Sequence, residues 1–368
     1  MLPFFLYLLK FIFMKLLKYF LILFLVISSC KKEEKSDPTI NLPNDYGAGM
    51  YILTNQGVSF YNYLAVDSLR VVTENIYKKV NNTDIIQPKS IHISGKQAYI
   101  IGDKLYIANM ETFGSEGTVS GFSDPVSCKK IDEDRLYVVD KGASSVKIVD
   151  LSKLEVLGHI ETGDTSMPTN IVGSWYRVFV MNGGGDTYEY RDSSVVAIDY
   201  AQSGVATNNF SGKIEVGYNP NSAAFSQTHL LVLCRGIYDE QNPTSNTTSS
   251  VYRIGAWSNI VYEFKDLTGV FNADNLIINS AKSRLFFTAE NGVYYTSLDW
   301  LIPHMHTSGI DASFLTVNTE QINDSTWREY LYTNDANQSG KVLKYEAWTG
   351  FAIDTIIVNG NILDVVFY

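Results

Sequence analysis

The chain has 368 residues, a formal net charge of −10 and 45% hydrophobic residues, enough for one large β domain or two ordinary ones. It is rich in aromatic residues (24 Tyr, 19 Phe, 5 Trp) and only 18% charged, which favours an all-β fold. The acidic balance, with no Lys/Arg run beyond the N-terminus, argues against nucleic acid as a partner.

In chain order, the first feature is the stretch 14–29, MKLLKYFLILFLVISS. Lys15 and Lys18 precede an unbroken apolar segment, Tyr19–Ile27. That length suits a secretory signal and falls short of the about 20 residues a membrane span needs. Met1–Phe13 is also apolar, and Met14 reads as the functional start. Ile27-Ser28-Ser29-Cys30 resembles the bacterial lipobox, which implies that Cys30 becomes the lipidated mature N-terminus. Lys31–Pro38 is charged and ends in Pro, as a flexible tether would be. Lys32-Glu33-Glu34 resembles the signal that sends lipoproteins to the outer face of the outer membrane in one phylum of Gram-negative bacteria. The expected organisation is therefore a signal peptide over 1–29, a lipidated tether over 30–46 and a β domain over 47–368.

The β domain is repetitive. Leu136–Asp140, Ser145–Asp150 and Glu155–Ile160 read as three short strands joined by turns, and Thr169–Val172 as a fourth after the Gly163–Pro168 loop. The first strand of this unit recurs at Met50–Thr54, Gln97–Ile101, Leu136–Asp140, Arg177–Asn182, Leu230–Arg235, Leu285–Ala289 and Tyr330–Asn334. Starts lie about 40 to 55 residues apart, the period of four-stranded propeller blades. Pro88, Pro125, Pro168 and Pro220 each precede a short apolar strand leading into the next unit. Pro is tolerated at a strand start. The sixth and seventh units have Asn272-Ala273-Asp274 and Ile310–Phe314 instead. The sixth blade, read as Ser283–Asn323, is the least regular. The fold expected is all-β, a seven-bladed β-propeller of four-stranded antiparallel blades. The final stretch, Ile362–Tyr368, is expected to close the ring against Met50–Thr54 and so remove a sheet edge.

Leu136–Asp140, Val146–Asp150 and Gly158–Ile160 resemble the YVTN-type repeat. The span 48–368 is similar to surface-lipoprotein propellers of the same bacterial phylum. That resemblance implies a cell-surface, lipid-anchored protein. Some members of the group bind cobalamin and cap a TonB-dependent outer-membrane transporter. The residues that carry the resemblance build the scaffold and name no ligand, and the fold hosts many unrelated functions.

Two segments depart from the repeat, Asn182–Ser194 (NGGGDTYEYRDSS) and Arg235–Ser250 (RGIYDEQNPTSNTTSS). On a propeller they open on one rim, over adjacent blades four and five. Long insertions on a rigid scaffold often carry function. The residues expected to meet a ligand are Tyr188, Tyr190, Arg191, Asp192, Arg235, Tyr238, Asp239 and Glu240. Aromatic faces with a few polar groups suit a flat, heteroatom-rich ligand or a protein. Ordinary polar, Tyr-bearing loops are the competing explanation.

Other motifs carry less. Gly183-Gly184-Gly185 lacks the following helix and Lys-Ser/Thr of a phosphate loop. His304-Met305-His306 puts two imidazoles on one face without an evident third metal ligand. His92, His159 and His229 are scattered. Asp140 and Asp150 stand at strand ends, where a carboxylate usually satisfies turn amides. Cys128 and Cys234 fall in apolar strands two repeats apart, as small buried hydrophobes would. Asp67–Leu69, Asp324–Thr326 and Asp354–Ile356 resemble an O-glycosylation sequon of that phylum. No hydrolase elbow or zinc-protease motif occurs.

The expectation is a non-enzymatic surface lipoprotein with no cofactor and no metal. It would capture a nutrient, cobalamin or a related tetrapyrrole, and deliver it to a TonB-dependent transporter. The alternatives are an adhesion or surface-layer propeller binding glycan or protein, and a propeller lyase or quinone-dependent dehydrogenase.

Overall fold

The computed structural model describes residues 46–65, 70–174, 176–184, 191–202, 205–239, 243–299, 302–323 and 325–368. The signal, Cys30 and its tether lie outside the described residues, as do Tyr188, Tyr190, Glu240, Asp67–Leu69 and Asp324.

Among the described residues, twenty-eight strands follow in order. The first blade holds β1 (Met50–Thr54), β2 (Gly57–Tyr61) and β3 (Val72–Thr73), and a short helix α1 (Ile76–Asn81) leads on from it. The second has β4 (Ser90–Ser94), β5 (Gln97–Ile101), β6 (Leu105–Asn109) and β7 (Ser115–Val119). The third has β8 (Pro125–Lys130), β9 (Arg135–Asp140), β10 (Ser145–Asp150) and β11 (Glu155–Glu161). The fourth has β12 (Pro168–Gly173), β13 (Arg177–Asn182), β14 (Ser194–Gln202) and β15 (Val205–Glu215). The fifth has β16 (Pro220–Phe225), β17 (His229–Cys234), β18 (Ser250–Gly255) and β19 (Val261–Asp266). The sixth has β20 (Asp274–Ile278), β21 (Arg284–Ala289), β22 (Gly292–Ser297) and β23 (His304–Ser308). The seventh has β24 (Leu315–Asn323), β25 (Thr326–Thr333), β26 (Lys341–Glu346) and β27 (Ala352–Ile357).

The last strand, β28 (Ile362–Phe367), pairs antiparallel with β1 and completes the first blade. The ring is closed as expected. Each innermost strand touches the next, from β4 through β8, β12, β16, β20 and β24 to β28 and back to β4.

Burial follows from this stacking. The second strand of a blade is covered on both faces, so it reads as an unbroken apolar run. β1, β13 and most of β9 and β17 are fully buried. Outer strands face water, and β19 and β27 are almost wholly exposed. The core lies between blades. Tyr51 and Leu53 of the first pack with Ile100 and Tyr106 of the second, joined by Tyr77 of α1 and Phe113. Tyr51 and Phe113 stack with centroids 5.5 Å apart.

One expectation is corrected. Thr169–Val172 is not the fourth strand of the Leu136–Ile160 sheet, whose order is β11-β10-β9-β8. It lies in β12 and pairs with β13, because the loop after β11 crosses to the next blade. The sequence repeat is thus offset by one strand from the structural blade, and Ser283–Asn323 joins three strands of the sixth blade to the first of the seventh. β25 also begins earlier than Tyr330, in a long hairpin with β24.

Two rims result. One carries the links from the second to the third strand and from each blade to the next; it is called the long-loop rim. The opposite rim carries the first-to-second and third-to-fourth turns. On the long-loop rim a recurring clamp ties the end of the second strand to the loop entering the same blade. Asp140 accepts the amides of Ser123 and Asp124, Asn334 that of Ser313, and Asn55 that of Asn361. Asn182 Nδ2 donates to the Thr162 carbonyl. Asp150, at the other rim, accepts the amides of Ser152 and Lys153. Both aspartates serve turn amides, as their strand-end positions suggested.

Candidate functional site

Among the described residues, the ends of the two long loops are tied together by the link Val216–Asn219. The Asp192 carbonyl accepts the Asn219 amide at 2.7 Å, and the Asn219 carbonyl accepts the Arg235 amide at 3.0 Å. Gly236 N donates to the Tyr218 carbonyl. The Arg191 guanidinium lies 5.4 Å from the Tyr218 ring centroid, within cation–π range. Asn219 takes a left-handed φ of 55°. Its Nδ2 donates to the Gly236 carbonyl, while its buried Oδ1 has no partner. A buried acceptor left open costs free energy unless water or a ligand meets it.

The second loop is folded rather than open. Ile237 bridges Thr247, and Asp239 N donates to Asn246 Oδ1. Tyr238 is 40% exposed, with its ring 5.6 Å from that of Phe271. The Arg235 guanidinium forms an ion pair with Asp274 of the sixth blade at 2.7 Å. Ser194 Oγ donates to the Asp192 carboxylate at 2.5 Å. Arg235 and Asp192 therefore serve the scaffold as well as any ligand. Arg191, Tyr218 and Tyr238 present aromatic and cationic surface on this rim.

The structure also assembles a group that the sequence leaves scattered. A cavity of about 330 Å³ lies on the ring axis, lined by β4, β8, β12, β16 and β28. It contains His92, Cys128, Lys129, Asn170 and Asp364. His92, Asn170 and Asp364 stand on three different innermost strands, and Cys128 and Lys129 share a fourth, so only ring closure brings them together. His92 Nε2 is buried without a partner. Burial, and then the charge of Lys129, push the His92 imidazole down to about 4. Burial also lowers Lys129. Asp364 is raised to about 6 by burial, against the stabilising amides of Ile91 and Val365. The Cys128 thiol is pushed up to about 12 by burial. The first-strand pattern of a repeat gives no cue to this cluster, because the four strands that carry it, β4, β8, β12 and β28, belong to different repeats.

Elsewhere, a groove of about 650 Å³ on the outer wall separates β27 from the first blade, where β3 is only two residues long. His304 and His306 both pack on Tyr295, and His306 Nε2 lies 3.2 Å from the Ala347 carbonyl. Among the described residues, no three His, Cys, Asp or Glu side chains are placed to hold a metal ion. Cys128 and Cys234 are free and buried.

No family model and no curated protein matches the sequence. Solved structures do match in shape. The periplasmic gluconolactonase of Pseudomonas aeruginosa has a TM-score of 0.63 at 11% identity, over 87% of this chain and 98% of that one. A quinonprotein alcohol dehydrogenase-like protein of Bacteroides thetaiotaomicron has 0.58 at 13% identity, over 88% and 79%. The hydrazine synthase of Kuenenia stuttgartiensis has 0.55 at 15% identity, over 75% and 88%. At these identities the likeness extends to the propeller fold alone.

Proposed function

We propose that this chain is a non-enzymatic, ligand-capturing propeller, anchored at the outer membrane through lipidated Cys30 and exposed on the cell surface. Its site is the long-loop rim over blades four and five. It takes a flat, heteroatom-rich nutrient, with cobalamin as the specific candidate, and passes it to a TonB-dependent transporter. The observation that carries this reading is the ledge joining Arg191, Tyr218, Asn219 and Tyr238, where stacking surface adjoins an open buried acceptor. Such a mixture of aromatic faces and few polar groups suits a conjugated ring system.

Titration calorimetry of the mature chain with cyanocobalamin, haemin and oligosaccharides tests it. Binding of cyanocobalamin at micromolar levels, weakened at least tenfold by Arg191→Ala or Tyr238→Ala, is the expected result. Absence of heat with cyanocobalamin ends the cobalamin assignment, and heat only with oligosaccharides favours the adhesion reading. Protease treatment of intact cells should remove the protein; full protection contradicts surface exposure. A second reading, a hydrolase or lyase, draws on Lys129 and His92 in the axial cavity. Hydrolysis of gluconolactone that is lost in Lys129→Met would favour it.

A further inference from the structure

We infer that the rim opposite the long loops is a membrane-facing surface, whose exposed tryptophans insert into the headgroup region of a lipid bilayer. The inference rests on the reading of Cys30 as the lipid anchor.

The first observation is where the tryptophans lie. Trp257, Trp327 and Trp348 are 51%, 63% and 69% exposed. Trp257 follows β18 and Trp348 follows β26, both in third-to-fourth turns, and Trp327 starts β25 at a first-to-second turn. All three therefore sit on the opposite rim. Exposed Ile260, Ile302 and Phe351 lie in these turns too. The apolar surface spans blades five to seven. The same rim of blades two and three carries the ion pairs Lys96–Glu111, Arg135–Asp132 and Lys153–Asp150, while on blade seven Arg328–Glu346 lies beside the tryptophans.

Two of these rings, Trp348 and Trp257, are held in place. The Arg284 guanidinium lies 3.9 Å from the Trp348 ring centroid and 4.4 Å from that of Tyr295. Trp257 packs on Tyr176 at 4.7 Å, and Arg177 Nη1 donates to its carbonyl. Exposed, fixed tryptophans in water are unfavourable unless something covers them. Trp and Tyr are enriched where water meets hydrocarbon, with an apolar ring on one side and a polar tip on the other.

The second observation is independent. Tyr46 N donates to the Glu111 carbonyl and Gly47 N to that of Met110, just past the end of β6, a third strand. Gly49 and Tyr368 exchange backbone bonds beside the end of β28. The chain preceding Tyr46 thus joins the propeller at the tryptophan-bearing rim. From Cys30 to Tyr46 the sequence has about 15 residues, a reach of at most ~50 Å. Such a leash gives a millimolar effective concentration at the bilayer. An interfacial affinity too weak for a soluble protein then suffices to bring this rim to the membrane whenever no partner holds the other rim there.

The test uses the mature chain carrying Cys30→Ser, mixed with vesicles of phosphatidylethanolamine and phosphatidylglycerol. Expected are co-flotation with vesicles, a blue-shifted tryptophan emission and quenching by brominated lipid. Trp327→Ser with Trp348→Ser should cut flotation at least fivefold, while Tyr238→Ala on the other rim leaves it unchanged. Absence of flotation and of quenching at millimolar lipid overturns the inference, as does equal flotation of the double variant with an unchanged circular dichroism spectrum. The anchor reading is checked separately by the mass of the N-terminal peptide from cells. Loss of the acyl mass refutes the anchor without touching the vesicle result.

Discussion

Asp364 Oδ2 accepts the backbone amide of Ile91 at 3.2 Å, joining two innermost strands that stand 273 positions apart in the chain. The bond crosses the seam where the C-terminal strand completes the first blade beside the second. Deleting Ile362–Tyr368 removes that strand and opens the edge of β1. The truncated chain is expected to lose cooperative unfolding and to aggregate, measured by thermal denaturation and size-exclusion chromatography. A folded monomer would show that the seam is dispensable.

The same carboxyl opposes a histidine in pH dependence. Asp364 is raised to about 6 from an ordinary value near 4, so the folded state holds its proton longer and stability falls as pH rises from about 4 to 6. His92 is lowered to about 4, so stability rises as pH goes from about 4 to 6.5. In the native chain the two trends offset each other. Asp364→Asn should leave a melting temperature that climbs through this range, and His92→Gln one that declines. Each swing is on the order of 3 kcal/mol, since a shift of about two pKa units on a buried group is worth about 1.4 kcal/mol per unit. Parallel curves for both variants and the native chain would refute the assignment.

Lys129 has no hydrogen-bond or ion-pair partner among the described residues, and burial lowers its pKa. An unpaired, shielded ammonium costs desolvation energy. Lys129→Met is expected to stabilise by about 1 kcal/mol, seen as a higher denaturation midpoint in urea. A lower midpoint would show that the ammonium is satisfied.

Arg177 makes the opposite case. It is 7% exposed and bonds Asp199 at 2.5 Å, Asn259 at 2.7 Å and Ser211 at 2.9 Å, fastening the fourth blade to a turn of the fifth. Arg177→Met strands the Asp199 carboxylate. The expected cost is about 3–5 kcal/mol in urea unfolding, and Asp199→Asn added to it should recover part of the loss.

Cys128 and Cys234 are both raised to about 12 by burial. Thiolate is the reactive form. Ellman's reagent should therefore leave both unmodified in the native fold at pH 8 and label both in guanidinium. Rapid native labelling would mean that the blades open locally.

The sequence by itself determined the ring. Apolar runs such as Arg177–Asn182 demand cover on both faces, and their recurrence, with Pro at Pro125, Pro168 and Pro220 entering the innermost strands, fixed the number of blades. It also located the long loops, because insertions interrupt a regular period. Their contact through Tyr218 and Asn219 followed from blade adjacency. Tertiary structure alone decided what meets at the axis and what shares a rim. His92, Lys129 and Asp364 are unremarkable in their own strands and become a cluster only when the ring closes. Trp257, Trp327 and Trp348 look like unrelated turn residues until strand direction puts them on the rim at which the chain enters the propeller. Local patterning specifies strands and turns, since those depend on neighbours in sequence. Contacts between blades depend on pairing across the closed ring, which no local pattern encodes.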